Sequence, residues 1–210
     1  MLRYVYAADL HDHPKLARTM FRDRADQFKT RLGWDVTIDA QGYERDAYDD
    51  LNPLYVIWEE PDGSHGGSMR FLPTTGRTMV NDHFGDLISG PIKSPLIWEC
   101  TRFCLARGAG AHVAAALMLG GGEIMQNFRI EHFIGVFDAR MVRIYRMIGS
   151  SPEVLGSAGT GRDQISVGLW HFTEDAAAKL AERAGVPLER SRQWFDHAFG
   201  QETIAQFAHS

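Results

Sequence analysis

Apolar residues recur at helical spacing through 14–32, where Leu16, Met20, Phe21, Phe28 and Leu32 stand among Arg, Asp and Lys. The pattern predicts an amphipathic helix, stopped at Gly33. No period is visible in 34–52, which reads as a long loop with a short strand. Segments 54–59 and 67–72 are strand-like and flank Pro61-Asp62-Gly63, a turn signal that pairs them. A stretch rich in Gly and Pro over 76–95 reads as irregular. The apolar run 96–105 then predicts a central strand, and 109–127 an alanine-rich helix with a weak point at its three glycines, 120–122. Further along, the pattern predicts a strand over 130–136, a short helix over 140–148, a Gly/Ser loop over 150–162 and a strand over 164–172. Thr173 is a good cap for a helix over 174–184, and Pro187 opens a last helix carrying Trp194, Phe195 and Phe199. Residues 1–13 carry no predicted element. Alternating α and β elements of this kind predict one mixed β-sheet flanked by helices, in a single domain over 1–210.

Composition narrows the class. The 210 residues hold 22 Lys and Arg against 27 Asp and Glu, a net charge of −5. A mildly acidic chain of this kind is a poor general nucleic-acid binder, because phosphate binding needs concentrated cations. No apolar run approaches the roughly 20 residues of a membrane span, and no secretion signal is visible. Together these point to the cytoplasm. Cys100 and Cys104 read as buried free thiols. The histidines show no metal-ligand spacing, so no metal is expected.

Charge placement is the unusual feature. Arg24 shares the first helix with Phe28, and Trp34 follows it. Glu44, Asp46 and Asp49 lie within six positions of one another, Arg70 sits inside an apolar strand, and Glu99 and Arg102 sit inside another. A charge in a buried strand needs a partner. One cluster in a cleft between the first helix, the loop and the strand ends satisfies all of them. Such a cluster suits a zwitterionic or cationic ligand; the same pattern also fits an ion-pair network that only holds the loop down.

The series Arg24-x3-Phe28-x5-Trp34, Glu44-x-Asp46-x-Tyr48-Asp49, Arg70-Phe71-Leu72-Pro73-Thr74 and Trp98-Glu99-x2-Arg102-Phe103 resembles the signature of the acyl-homoserine-lactone synthases, the LuxI-type autoinducer synthases. Val167-Gly168-Leu169-Trp170 extends the likeness more loosely. The resemblance implies an N-acetyltransferase-like sheet with a V-shaped split between two strands. It also implies an acyltransferase that joins an acyl group, from acyl carrier protein or acyl-coenzyme A, to the amine of S-adenosylmethionine. Lactone closure then releases methylthioadenosine, and S-adenosylmethionine is a substrate, not a cofactor.

With that chemistry, Glu99 is the first candidate for the base that strips the amine, with Glu44 second. Arg102 or backbone N–H groups near Phe103 suit the oxyanion. Asp46 and Asp49 suit the cationic end of the substrate, and Arg24 or Arg102 its carboxylate. Phe28 and Trp34 suit the adenine or the sulfonium. Arg70, Phe84 and Phe103 complete the expected binding set. Met79, Met125 and Phe137 are candidates for an acyl pocket, alongside Leu117, Met118, Phe128 and Phe133, although apolar spacing of this kind also describes plain core. Arg140, Arg143 and Arg146 share one helical face that suits an acidic carrier protein or the phosphates of coenzyme A; a solvated helix face has the same pattern. Arg107-Gly108-Ala109-Gly110-Ala111 is similar to the glycine-rich phosphate loop of the N-acetyltransferases, but so short a match fits an ordinary turn before a helix better. The 134–137 stretch lacks the Thr or Ser that favours 3-oxo chains in the family. Two alternatives stand beside the synthase: an acyl-coenzyme-A-dependent N-acetyltransferase acting on another amine, and a non-catalytic relative.

Overall fold

The computed structural model describes residues 1–207, of which 201–207 only by their backbone; the last three residues of the domain expected over 1–210 lie outside it. One seven-stranded sheet runs in the order β1 (Leu2–Tyr6), β2 (Leu54–Glu59), β3 (His65–Pro73), β4 (Ile97–Leu105), β5 (His132–Asp138), β7 (Ile165–His171), β6 (Glu153–Ala158). Every neighbouring pair is antiparallel except β4 and β5. The helices are α1 (Pro14–Ala25), α2 (Met79–His83), α3 (Ala111–Phe128), α4 (Ala139–Ile148), α5 (Glu174–Ala184) and α6 (Leu188–Phe207).

Strand alternation divides the apolar residues between two layers. Leu54 and Val56 of β2 join Met69 and Phe71 under α3, whereas Tyr55 and Ile57 face Leu16, Met20 and Phe21 of α1. Both faces are covered, which is why β2 reads as a continuous apolar run. α3 can lie close to the sheet because Gly120 has no side chain. A Cβ there would stand 2.8 Å from Val56 Cγ1 and 3.2 Å from Leu2 Cδ1. The predicted weak point at 120–122 is therefore a continuous stretch of helix, held by packing that outweighs the low helix propensity of glycine.

The other differences share one cause. β1 was not predicted because its five residues lack a turn signal. It exists through pairing of Leu2–Tyr6 with β2. The segment read as a Gly/Ser loop holds β6, an edge strand with almost every residue exposed, so it has no inward face to leave a pattern. The helix read over 14–32 is α-helical to Ala25 and continues as a π-helical turn, Asp26–Arg31, before Gly33 turns left-handed at φ 67°. α2 lies in the stretch read as irregular, and its start is capped from a distant strand, as shown below.

Gly120→Val is expected to destabilise the fold by about 1–3 kcal/mol through overpacking against Val56 and Leu2. Urea denaturation checks it; unchanged stability would mean that the helix–sheet approach is looser than these distances require.

Candidate active site

β4 and β5 are paired only at Ile97↔His132, Trp98↔Phe133 and Glu99↔Ile134. Beyond Glu99 they diverge, leaving a V-shaped gap in the sheet. The strands come closest near the apex, where a Cβ on Gly135 would stand 2.8 Å from the Cys100 carbonyl oxygen. A cavity of about 790 Å³ runs through the gap. On the α1 side it is lined by Gln27, Phe28, Trp34, Met79 and Phe84; in the gap by Thr101, Arg102, Phe103 and Phe137; on the α3 side by Met118, Met125, Phe133, Trp170 and Phe172. Of the acyl-pocket candidates, Met79, Met118, Met125, Phe133 and Phe137 reach the cavity wall. Leu117 is fully buried core, and Phe128 packs instead against Trp98, Phe195 and Phe199.

The charged residues do gather, but mostly behind this wall. Tyr55, Arg70 and Thr101 face one another across three strands on the α1 side of the sheet. Arg24 reaches the same place from α1. Its Nε donates to Glu44 Oε2 at 2.6 Å, and its Nη1 and Nη2 donate to the two Asp49 oxygens at 2.9 Å each. Arg70 Nη1 donates to Asp46 Oδ1 at 2.5 Å and to Asp49 Oδ1 at 2.8 Å, while its Nε donates to Thr101 Oγ1 at 3.0 Å. The Tyr55 hydroxyl donates to Asp49 Oδ1 at 2.6 Å. Arg102 completes the group, with Nη2 2.9 Å from Glu44 Oε1 and 2.6 Å from Asp46 Oδ2.

Three guanidinium groups thus meet three carboxylates, and the cluster is neutral. Arg24, Glu44 and Arg70 are no more than 1% exposed. Arg24 and Asp49, expected to hold substrate, hold each other in a two-pronged pair and do not line the cavity; Glu44, Asp46 and Arg70 likewise sit outside its wall. The charges thus form a buried ion-pair network that ties the loop to α1 and the sheet. Burial alone would raise the Asp49 pKa, but the charges of Arg24 and Arg70, with hydrogen bonds from Arg24 and Tyr55, hold it far below the usual carboxylate range. Asp46 is lowered in the same way: against burial stand the hydrogen bond and charge of Arg70 and the charge of Arg102.

Arg102 is the member that faces both ways. Strand alternation would send it to the α3 face, opposite Thr101. The β3–β4 register slips between Ser68 and Arg70, with Ser68 opposite Cys104 but Arg70 opposite Thr101, so β4 carries one extra residue. Arg102 takes it up at φ 53°, a left-handed conformation costing a non-glycine residue about 1–2 kcal/mol. This bulge turns its guanidinium onto Glu44 and Asp46 while leaving it on the cavity wall. Its Nη1 makes no hydrogen bond among the described residues. Its guanidinium also lies 5.4 Å from the centre of the Phe28 ring, which stacks on Trp34 with centroids 5.1 Å apart. Phe28 is buried, and both rings of the stack line the cavity.

Glu99 occupies the apex of the V. Its Oε1 accepts from Val80 N at 2.6 Å and its Oε2 from Met79 N at 3.0 Å. It therefore caps α2 and holds Met79 and Phe84 at the cavity. Burial raises its pKa, and the two N–H donors offset only part of that rise. Two residues on the wall went unnoticed in the sequence. Gln27 Nε2 donates to Phe103 O at 2.8 Å, and Gln27 Oε1 accepts from Leu105 N at 2.9 Å. Its position three residues after Arg24 was the available signal. Thr101 lies inside the Trp98–Phe103 stretch and was passed over as an uncharged strand residue.

A family model described as autoinducer synthase matches residues 8–180. The chain belongs to the autoinducer synthase family. An acyl-homoserine-lactone synthase of Rhizobium etli is 38% identical over 199 residues, 91% of this chain and 93% of the relative. Among solved structures, the coenzyme-A-dependent acyl-homoserine lactone synthase BjaI, with S-adenosylmethionine and isopentyl-coenzyme A, superposes with a TM-score of 0.78 at 24% identity, covering 89% of this chain and 90% of that one. An acyl-coenzyme A N-acyltransferase of Pseudomonas aeruginosa has the same kind of fold, with a TM-score of 0.54 at 14% identity over 80% of this chain and 97% of that one. The fold is thus N-acetyltransferase-like, as expected, and the autoinducer synthase is an acyltransferase that makes acyl-homoserine lactone. No described helix of this synthase is long and apolar enough to cross a membrane, and no described His, Cys, Asp and Glu group is arranged to hold a metal.

The exposed Arg140, Arg143 and Arg146 lie on α4. Arg140 pairs with Asp138, and Arg143 and Arg146 have no ion-pair partner among the described residues. Arg107 in the glycine-rich turn before α3 pairs with Asp26 at 2.6 Å.

The lowered pKa values of Asp49 and Asp46 fix a sign. Their ionised forms stabilise the fold fully above the unfolded carboxylate value of about 3.9, and that contribution drains away as pH falls below it. Urea denaturation at pH 5, 4 and 3.5 is expected to show falling stability. Asp49→Asn is expected to lose about 3–5 kcal/mol at pH 7, as for a broken buried pair, with a shallower slope over the acid range. An equal slope in the variant would remove Asp49 from this role.

Proposed function

We propose that S-adenosylmethionine binds at the Arg102, Phe28 and Trp34 end of the cavity, with the acyl chain among Met79, Met125 and Phe137. The observation that carries this reading is the Arg102 guanidinium, held by Glu44 and Asp46 beside Phe28 on the wall of a largely apolar cavity. A carboxylate or a developing oxyanion is the chemistry such a donor meets. The stacked Phe28–Trp34 pair suits the adenine or the sulfonium. Arg24, Glu44, Asp46, Asp49 and Arg70 act from behind, by fixing Arg102 and the 44–51 loop. Glu99 is the base, working through a water: its two N–H donors leave lone pairs free, and its raised pKa makes it a better proton acceptor than an exposed carboxylate.

The neutral amine attacks the thioester carbonyl, a C–N bond forms and the thiol leaves with the electron pair of the C–S bond. The substrate carboxylate then attacks the carbon next to the sulfonium. That C–S bond breaks toward sulfur, giving the homoserine lactone and neutral methylthioadenosine. Glu99, through the water, first takes one proton from the ammonium and releases it to solvent; the second proton, lost by the nitrogen after attack, passes to the leaving thiolate. The exposed Arg143 and Arg146 suit an acidic acyl carrier protein as acyl donor, and the enzyme acts in the cytoplasm, beside the pools of both donors.

Purified protein given S-adenosylmethionine and acyl donors of graded length is expected to release methylthioadenosine and form an acyl-homoserine lactone, read by mass spectrometry. No lactone from any donor would overturn the reading. In the same assay, Arg143→Glu is expected to weaken use of a carrier-borne donor, with a salt-dependent loss. Indifference would put the docking face elsewhere.

Glu99→Gln is expected to lower kcat by about 10²-fold, the scale of a lost general base, and to remove the acid limb of the pH–rate profile. A lowered rate with that limb intact would leave Glu99 only its capping role.

A further inference from the structure

A second hollow, of about 510 Å³, lies between α3, α5 and α6. Its wall and that of the main cavity share Leu119, Gly122, Phe172 and Ala177. We propose that Phe172 sets the upper length of the acyl chain this synthase transfers, by closing the passage between the two. The inference rests on the main cavity being the acyl site.

Three observations carry it. Gly122 and Ala177 contribute almost no bulk to the shared wall, so the ring does most of the separating. A Cβ on Gly122 would stand 3.1 Å from Phe172 Cε2 and 3.3 Å from Cδ2, so the ring lies directly against the α3 backbone. Phe172 also stands apart from the aromatic cluster of the cavity. Phe133 packs on Phe71, and Phe137, Tyr145 and Trp170 pack edge-on against one another, whereas Phe172 has no ring partner among the described residues. Its backbone is fixed between the end of β7 and the helix cap Thr173, whose side chain accepts from Ala176 N at 3.1 Å. The ring can therefore be removed without taking apart the aromatic cluster.

Beyond the ring the surroundings change. Arg192 Nε donates to buried Glu123 Oε2 at 2.9 Å, and Gln126 and Glu189 stand at the outer rim. An alkyl tail gains burial up to Phe172 and little past it. Accommodating or rejecting a methylene changes specificity about tenfold or more, so a ring at this point fixes a cut-off.

The test is a product profile over acyl donors of graded chain length for wild type, Phe172→Ala and Phe172→Leu, with folding checked by circular dichroism. Phe172→Ala is expected to move the longest accepted chain upward and to raise the ratio of long-chain to short-chain lactone about tenfold. Phe172→Leu is expected to give a smaller shift in the same direction, and it reads the effect should the alanine variant not fold. Leu188→Trp, made in the Phe172→Ala background from the exposed rim of the second hollow, is expected to restore the wild-type cut-off. Lactones with the same cut-off from wild type and both Phe172 variants would overturn this inference alone. No lactone from wild type would overturn the acyl-site reading and this inference with it.

Discussion

Three arginines and three carboxylates share one buried, neutral cluster, and the working end of the molecule is arranged around it. Each charge alone would be costly to bury, and each pair alone would leave donors unsatisfied. Together they use the two-pronged geometry of guanidinium and carboxylate, with Tyr55 and Thr101 closing the remaining valences. The cluster fastens the 44–51 segment, which ends in the 3-10 turn Asp49–Leu51, to α1 and to three strands. It also leaves one donor, on Arg102, facing the cavity.

That division separates holding from contact. A signature of charged residues invites the reading that each touches substrate. Here most of them touch one another, and Arg102 is the one that reaches the cavity. The bulge in β4 makes this possible by turning Arg102 across the sheet to the α1 side. The backbone conformation it requires is a small cost beside the ion pairs it completes.

The split in the sheet and the cap on α2 are coupled through Glu99. It is the last residue of β4 paired with β5, and it holds the two N–H groups that start α2. A carboxylate at the apex therefore carries Met79 and Phe84 to the cavity, and its burial there raises its pKa.

What the residues announced by themselves were the elements whose pattern is local. The α1 stripe, the β2–β3 hairpin around Pro61-Asp62-Gly63, the Thr173 cap and the last helix were all legible, because periodicity, turn chemistry and capping act over a few positions. Most of the charged cluster was legible too, since a charge in an apolar strand demands a partner somewhere, but Glu99, expected in it, takes the N–H groups of Met79 and Val80 instead. The fold alone decided which partner each charge takes and which of them faces the cavity, because pairing across three strands and a bulge depends on register. It also decided that β1 and β6 are strands, that α2 is a helix capped from twenty residues away, and that three glycines stay helical. Each of those is stabilised by a backbone or packing contact distant in the chain, which no local window of sequence contains.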